Sequence, residues 1–153
     1  MPSLSELYQN VILEHNRSPR NYRTMADANR EAEGHNPLCG DQVTVRLRVA
    51  DGLIQDAAFQ GSGCAISRAS ASLMTAAIKG RTPEAAAVLF RQFHQMVTGH
   101  SEAGNPETLG KLAVFSGVSA YPIRVKCASL PWHTMKAALD QAREPDPSQS
   151  TDL

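Results

Sequence analysis

The chain has 153 residues, a mass of 16.5 kDa and equal numbers of basic and acidic side chains, 15 of each. This length suits one ordinary domain, and 42% hydrophobic with 20% charged residues excludes a disordered or collagen-like chain. Zero net charge excludes a strong general attraction to nucleic acid or to an anionic membrane. The longest apolar run, residues 85–90, is far shorter than the roughly 20 residues that cross a bilayer. Because the first residues lack the basic start and apolar core of an export signal, a cytoplasmic location is expected.

The first half of the chain predicts one helix and two strands. Ser3 to Glu6 matches a capping box, and the apolar residues that follow have helical spacing, which predicts a helix ending near residues 15–17. Residues 16–40 show little periodicity and predict an irregular segment. Residues 43–49 alternate between apolar and polar side chains, which predicts a strand with one buried face. Asp51-Gly52 then predicts a tight turn into a returning strand over residues 53–60.

The second half predicts helices. Glycine-rich residues 61–63 break the strand, so that Cys64 lies at the start of a helix that stops at Gly80. Thr82 and Pro83 open a further helix that runs to about residue 99, and its Phe90, Phe93 and Val97 are expected to face the core.

The C-terminal third is less regular. Residues 100–106 predict a loop and residues 109–115 a short helix. Another helix can start at Tyr121-Pro122, and Pro131 marks either a kink in it or the start of a last helix reaching Arg143. We expect one domain over residues 1–143 and a disordered tail over residues 144–153.

The three cysteines, Cys39, Cys64 and Cys127, lie at boundaries of predicted elements or beside glycines. An odd number of cysteines without an export signal argues against a disulfide framework and leaves free thiols or metal ligands. Asp41 follows Cys39 by two residues, so the two side chains point the same way on an extended chain. At a helix N-terminus, the positive end of the helix dipole favours the ionised thiolate of Cys64.

Three thiolates and one carboxylate are enough to complete a tetrahedral zinc site. A closed site leaves no position for an activated water, so its chemistry requires one ligand to leave. Cys39, on a segment flanked by glycine, is the candidate to be freed and to receive a sulfur atom. The spacings match no short zinc-finger rule, so the residues alone leave open the alternative that the cysteines are buried hydrophobic side chains.

Three motifs follow one another in the sequence: HNPLCGD at residues 35–41, GSGCAISRASAS at 61–72 and RVKCASLPW at 124–132. In these motifs the chain resembles the SufU branch of the IscU/NifU N-terminal family, which consists of proteins of iron–sulfur cluster biogenesis. The resemblance extends over residues 3–143. It implies an α+β domain with a small, mostly antiparallel three-stranded sheet and helices packed on one side.

The resemblance also implies a role for each matching residue. Cys39, Asp41, Cys64 and Cys127 correspond to the ligands of a zinc ion, and Cys39 corresponds to the persulfide acceptor. Arg124 corresponds to an arginine near the site that steadies the thiolate or its partner. The implied activity is zinc-dependent sulfur transfer, with a SufS-like cysteine desulfurase as donor and downstream iron–sulfur assembly proteins as recipients.

Some features differ from cluster scaffolds of the same family. Lys126 replaces the histidine of the scaffolds, residues 81–117 form a longer segment than theirs, and residues 121–126 lack their chaperone-binding stretch. These differences favour a sulfurtransferase over a scaffold that binds iron or an iron–sulfur cluster through the same ligands. A structural zinc module is the third alternative. His35 is expected to be a loop histidine without a special role, and Gly61 and Gly63 are expected to make room for the metal.

Overall fold

The computed structural model describes residues 4–37, 40–98, 112, 115, 118 and 121–140. Four helices and three strands lie in these described ranges. In chain order they are α1 (Leu4–Arg17), β1 (Arg30–Asn36), β2 (Asp41–Ala50), β3 (Leu53–Ser62), α2 (Ala65–Ile78), α3 (Pro83–Val97) and α4 (Pro122–Asp140).

The strands form one antiparallel sheet in the order β1-β2-β3. Asn36 pairs with Asp41, and Gln42 pairs with Ser62. The end of β1, the start of β2 and the end of β3 therefore lie side by side at one edge of the sheet. The three-stranded antiparallel sheet implied by the family resemblance is confirmed.

Strand β1 corrects the prediction that residues 16–40 are irregular throughout. Its buried positions are Ala32, Gly34 and Asn36, which are small or polar and give no hydrophobic alternation. Helix α4 packs on this strand so closely that a Cβ at Gly34 would lie 2.0 Å from Thr134 Oγ1. These side chains give no strand pattern in the sequence because they are small or polar. Their small size also permits α4 to pack closely on the strand.

The helices pack on one face of the sheet, as expected. Along β2 the side chains of Val43, Val45 and Leu47 are buried in the core. On the other face, the Arg46 guanidinium donates to Glu31 Oε2 at 3.2 Å and to Gln60 Oε1 at 2.9 Å. The sheet therefore has one buried face and one solvent-exposed face, as the alternation in residues 43–49 predicts.

Helices α2 and α3 follow the predicted capping signals. Cys64 is the N-cap of α2, and Thr82 Oγ1 accepts a hydrogen bond from the Ala85 N–H at 3.0 Å at the start of α3. Phe93 and Val97 are buried, and Phe90 packs against the core.

Helix α4 is a single helix with Pro131 in its interior, so Pro131 does not start a separate last helix. The predicted loop over 100–106, most of the predicted helix over 109–115 and the tail over 144–153 lie outside the described residues, as does Arg143. Leu112, Phe115 and Val118 are buried. None of the helices in the described ranges is both long and apolar enough to span a bilayer.

Candidate metal centre

Three side chains with metal-binding atoms meet at the sheet edge where the strand ends lie together. Asp41 begins β2, Cys64 precedes α2, and Cys127 lies in the second turn of α4. The carboxylate oxygen and the two sulfur atoms all lie within 4.8 Å of one another. Asp41 is 0% exposed and Cys127 is 3% exposed, whereas Cys64 is half-buried. Both cysteines are free thiols.

Asp41 is held in place by the residues that precede α2. The Cys64 N–H donates a hydrogen bond to Asp41 Oδ1 at 2.8 Å, and Asp41 Oδ2 lies 3.8 Å from Cys64 Sγ. A Cβ at Gly63 would lie 2.4 Å from Asp41 Oδ1. Glycine at this position therefore makes room for the Asp41 carboxylate, one of the predicted metal ligands. Gly61 makes room for the backbone of Gln42.

The sulfur of Cys64 lies at the N-terminus of α2, as the sequence predicts. Its side chain accepts a hydrogen bond from the Ser67 N–H at 3.5 Å. Unpaired N–H groups and the positive end of the helix dipole both favour negative charge here. The Cys64 sulfur therefore lies at the start of α2 and faces the Asp41 carboxylate.

Cys127 is fixed by the packing of α4 against α2. The Ser70 hydroxyl donates to the Ala128 carbonyl at 2.6 Å and accepts from the Trp132 indole N–H at 3.1 Å. These three residues are all fully buried. Ser70 thereby connects α2 to α4 by hydrogen bonds, one residue away from Cys127. The sequence analysis did not predict a role for Ser70. The available signal was the run of small residues over 69–72, which permits close helix approach.

Of the other two residues of the predicted site, the structure describes only Arg124. Cys39 lies outside the described residues, and its neighbours in the described ranges are Pro37 and Gly40. Arg124 is exposed in the first turn of α4, where its guanidinium carbon lies 4.5 Å from the centre of the Tyr121 ring. Arg124 therefore belongs to the surface at the start of the helix that carries Cys127.

The donor set suits zinc. A thiolate and a carboxylate bound to one tetrahedral zinc ion, with bonds of about 2.3 and 2.0 Å, hold their sulfur and oxygen roughly 3.5 Å apart. The observed separation between Cys64 Sγ and Asp41 Oδ2 is 3.8 Å. Two sulfur ligands and one oxygen ligand leave one position for a fourth donor.

A model of the NifU-like N-terminal domain matches residues 7–128 of the chain. The chain belongs to this family. Among its relatives in the family, the zinc-dependent sulfurtransferase SufU of Bacillus subtilis is 38% identical over 134 residues, covering 88% of this chain and 90% of that protein. The iron–sulfur cluster assembly scaffold protein IscU of Streptococcus pyogenes is 34% identical over 142 residues, covering 93% and 88% of the two chains.

The fold of this NifU-like domain agrees with a solved structure of the family. The crystal structure of FiSufU from Fervidobacterium islandicum superposes with a TM-score of 0.81 at 34% sequence identity, covering 88% of this chain and 97% of the other. The α+β architecture implied by the motifs at residues 35–41, 61–72 and 124–132 is therefore confirmed.

Proposed function

We propose that this protein is a zinc-dependent sulfurtransferase that accepts persulfide sulfur from a cysteine desulfurase and passes it to iron–sulfur cluster assembly. The observation that carries the proposal is the meeting of Asp41, Cys64 and Cys127, whose ligand atoms lie within 4.8 Å of one another. The 38% identity to a SufU protein named as a zinc-dependent sulfurtransferase supports the choice of activity.

In this proposal Asp41, Cys64 and Cys127 hold a zinc ion, and Cys39 supplies the fourth ligand. Bound zinc keeps its cysteine ligands ionised at neutral pH. Asp41 and Cys64 are well suited to remain in place, because the hydrogen bond from the Cys64 N–H to the Asp41 carboxylate fixes them to each other. Cys127 is anchored by the contact between α2 and α4.

Cys39 is the residue that receives sulfur. Its thiolate attacks the outer sulfur of the persulfide on the desulfurase cysteine, and a new sulfur–sulfur bond forms on Cys39. The sulfur–sulfur bond of the donor breaks, and its electron pair leaves with the desulfurase cysteine as a thiolate. The products are a Cys39 persulfide and a regenerated donor thiol, so no external oxidant or reductant is consumed.

Arg124 supplies positive charge near the site. It lies three residues before Cys127, one helical turn away on the same side of α4. Its stacking on Tyr121 keeps the guanidinium at the exposed start of the helix, where an approaching thiolate or acidic partner meets it. The proposed role of Arg124 is to favour the anionic sulfur and to orient the donor protein.

The test combines metal analysis with mass spectrometry of Cys39. The protein is incubated with a cysteine desulfurase and free cysteine, and we expect bound zinc and a mass increase of one sulfur atom on the peptide containing Cys39. Cys39→Ala is expected to lose both the added sulfur and the stimulation of the desulfurase while Asp41, Cys64 and Cys127 retain much of the zinc. Unchanged stimulation in Cys39→Ala contradicts the proposal, and a loss of stability alone indicates a structural zinc module.

A scaffold for cluster assembly is the second candidate function. The observation that favours it is the 34% identity, over most of both chains, to a protein named as an IscU scaffold. The same donors can bind iron in a cluster. Purification without oxygen separates the two functions, because a scaffold yields iron and visible absorption whereas a zinc protein yields neither.

A further inference from the structure

A cavity of about 350 Å³ lies beside the candidate metal centre, between the end of β1 and the facing sides of α3 and α4. Asn36 pairs with Asp41 across the sheet, and Lys126 precedes Cys127, so the cavity adjoins the centre without sharing its three ligands. Its volume is at the lower end of the range of small-molecule sites, about 300–1,000 Å³. The cavity is therefore large enough for a small organic ligand, and the proposed sulfur transfer gives it no role.

The polar side chains that line the cavity can all donate hydrogen bonds. They are a lysine, three histidines, a serine and an asparagine: Lys126, His35, His94, His133, Ser129 and Asn36. Among the described residues that line the cavity, none is acidic. A negatively charged ligand is therefore complementary to these walls, whereas a positively charged ligand would meet no opposite charge on them.

The Ser129 hydroxyl indicates a ligand that accepts a hydrogen bond. Ser129 lines the cavity and is buried, with 4% of its surface exposed. Its hydroxyl has no hydrogen-bond partner among the described residues. Buried hydroxyl groups are nearly always hydrogen-bonded, because a buried polar group without a partner lowers stability. A ligand in the cavity can supply the acceptor that this hydroxyl lacks.

Lys126 provides the positive charge of the cavity. It is exposed and has no ion-pair partner among the described residues. His133 contributes little charge at neutral pH, because burial, followed by repulsion from His94, lowers its pKa below the ordinary value of 6.5. A neutral imidazole still donates one N–H. An anion in the cavity would therefore depend on Lys126 for charge and on the neutral side chains for hydrogen bonds.

The rest of the cavity wall is apolar and well packed. Its apolar residues are Pro37, Val125 and Leu130. The rings of His94 and His133 pack edge to face, with centres 5.6 Å apart and planes at 78°, and the Phe90 ring packs edge to face against both. This packing holds the shape of the wall before a ligand binds, which lowers the entropy cost of binding. Apolar walls with a few polar donors fit a carboxylate on a short apolar body.

We propose that this cavity is a binding site for a small organic carboxylate whose body is apolar and carries no ammonium group. The carboxylate accepts hydrogen bonds from the Ser129 hydroxyl and the Lys126 ammonium group, and the apolar body lies against Val125 and Leu130. An amino-acid zwitterion binds less well, because its ammonium group would meet no acidic side chain among the described residues of the wall. This site is separate from the three ligands of the candidate metal centre and does not depend on sulfur transfer.

Three probes with the same carbon skeleton test the proposal: isovalerate, its neutral amide isovaleramide, and the zwitterion valine. Each is titrated into the full-length protein at neutral pH and constant ionic strength, and the backbone amide resonances of Ser129, Leu130 and His133 report binding in the cavity. We expect saturable binding of isovalerate and at least about fivefold weaker binding of the other two probes. If isovaleramide or valine binds as tightly as isovalerate, or if isovalerate does not bind, the proposal is overturned.

Substitutions at the two proposed contacts locate the site. Lys126→Met removes the charge from an exposed position, and Ser129→Ala removes a hydroxyl that has no partner among the described residues. Each variant is expected to bind isovalerate at least about threefold more weakly. Lys136→Met is the matched control on the same helix, because Lys136 pairs with Asp140 at 2.7 Å and does not line the cavity. Unchanged isovalerate binding in Lys126→Met and Ser129→Ala, or an equal loss in Lys136→Met, overturns the proposal.

Discussion

The backbone N–H of Cys64 donates a hydrogen bond to the Asp41 carboxylate at 2.8 Å. The bond joins the first residue of β2 to the N-cap of α2, and the two residues are separated by 23 positions in the chain. Asp41 thus has two roles at once, because one oxygen supports the start of a helix while the other lies 3.8 Å from the Cys64 sulfur. The two roles can be separated by substitution.

Asp41→Asn and Asp41→Ala are expected to differ in stability but not in metal affinity. Asparagine keeps an oxygen that accepts from the Cys64 N–H, so the metal-free protein should remain nearly as stable as the original. Alanine leaves the partly buried Cys64 N–H without its acceptor, which should lower the free energy of unfolding by about 1–3 kcal/mol. Both changes remove a charged ligand and should lower zinc affinity at least about tenfold.

Urea unfolding of the metal-free proteins and zinc competition titrations provide the two measurements. Equal stability of the Asn and Ala variants would show that the hydrogen bond between Cys64 and Asp41 contributes little. Unchanged zinc affinity in both variants would remove Asp41 from the proposed ligands.

Gly63→Ala is expected to damage the site through a direct clash. The added Cβ would lie 2.4 Å from Asp41 Oδ1, so the carboxylate must move away from the Cys64 N–H. We expect a loss of about 1–3 kcal/mol from overpacking, together with weaker zinc binding.

Gly52→Ala is the matched control for Gly63→Ala. Gly52 has φ of +75° and open space where a Cβ would be, so alanine adds only backbone strain of about 1–2 kcal/mol. Zinc affinity should be unchanged in this variant. If Gly52→Ala weakens zinc binding as much as Gly63→Ala does, general destabilisation explains both results and the clash with Asp41 does not.

Ser70→Ala is expected to loosen α4 relative to α2. The substitution removes the donor to the Ala128 carbonyl and the acceptor for the Trp132 indole N–H. Two buried polar groups then lose a partner, at a cost of about 1–3 kcal/mol for each. Thermal unfolding followed through Trp132 fluorescence measures the change, and Ser18→Ala, at an exposed position, serves as control. If Ser70→Ala is as stable as Ser18→Ala, the Ser70 hydrogen bonds do not stabilise the packing of α4 against α2.

His133 is expected to make the metal-free protein less stable as the pH falls below about 6.5. Burial, with a further contribution from His94, lowers its pKa in the folded state, so the unfolded chain takes up the proton first. Stability is then lost as the pH falls from the ordinary value of 6.5 towards the lower folded value. Urea unfolding between pH 7.5 and 5 should show a smaller pH dependence in His133→Phe than in the original protein.

This pH range avoids the titration of Asp56, the other group among the described residues whose pKa is shifted. Burial raises the pKa of Asp56, but hydrogen bonds from Arg23, Lys79 and the Ala57 N–H outweigh it and lower the pKa below 3.8. The stability that Asp56 contributes is therefore lost only in more acidic solution. An identical pH dependence in His133→Phe and the original protein would show that His133 does not account for the loss.

The elements that the sequence predicted well are those with strong local signals. The alternation over residues 43–49, the Asp51-Gly52 turn and the N-cap residues Cys64 and Thr82 all lie where expected. Strand β1 was missed because Ala32, Gly34 and Asn36 carry no hydrophobic pattern. The strand exists because β2 pairs with one edge of it and α4 covers its buried face, and neither contact is visible in residues 30–36 alone.

Motifs, alternation and capping signals depend on neighbouring residues, so they were enough to identify the family, the donor types and the local elements other than β1. The approach of Asp41, Cys64 and Cys127 to within 4.8 Å of one another is a property of the three-dimensional fold. Residues 41, 64 and 127 belong to three different elements, and their approach depends on the pairing of the strands and on the packing of α4 against α2. The edge-to-face contact between His94 and His133 could likewise not be predicted from the sequence, because the packing of α3 against α4 brings the two rings together.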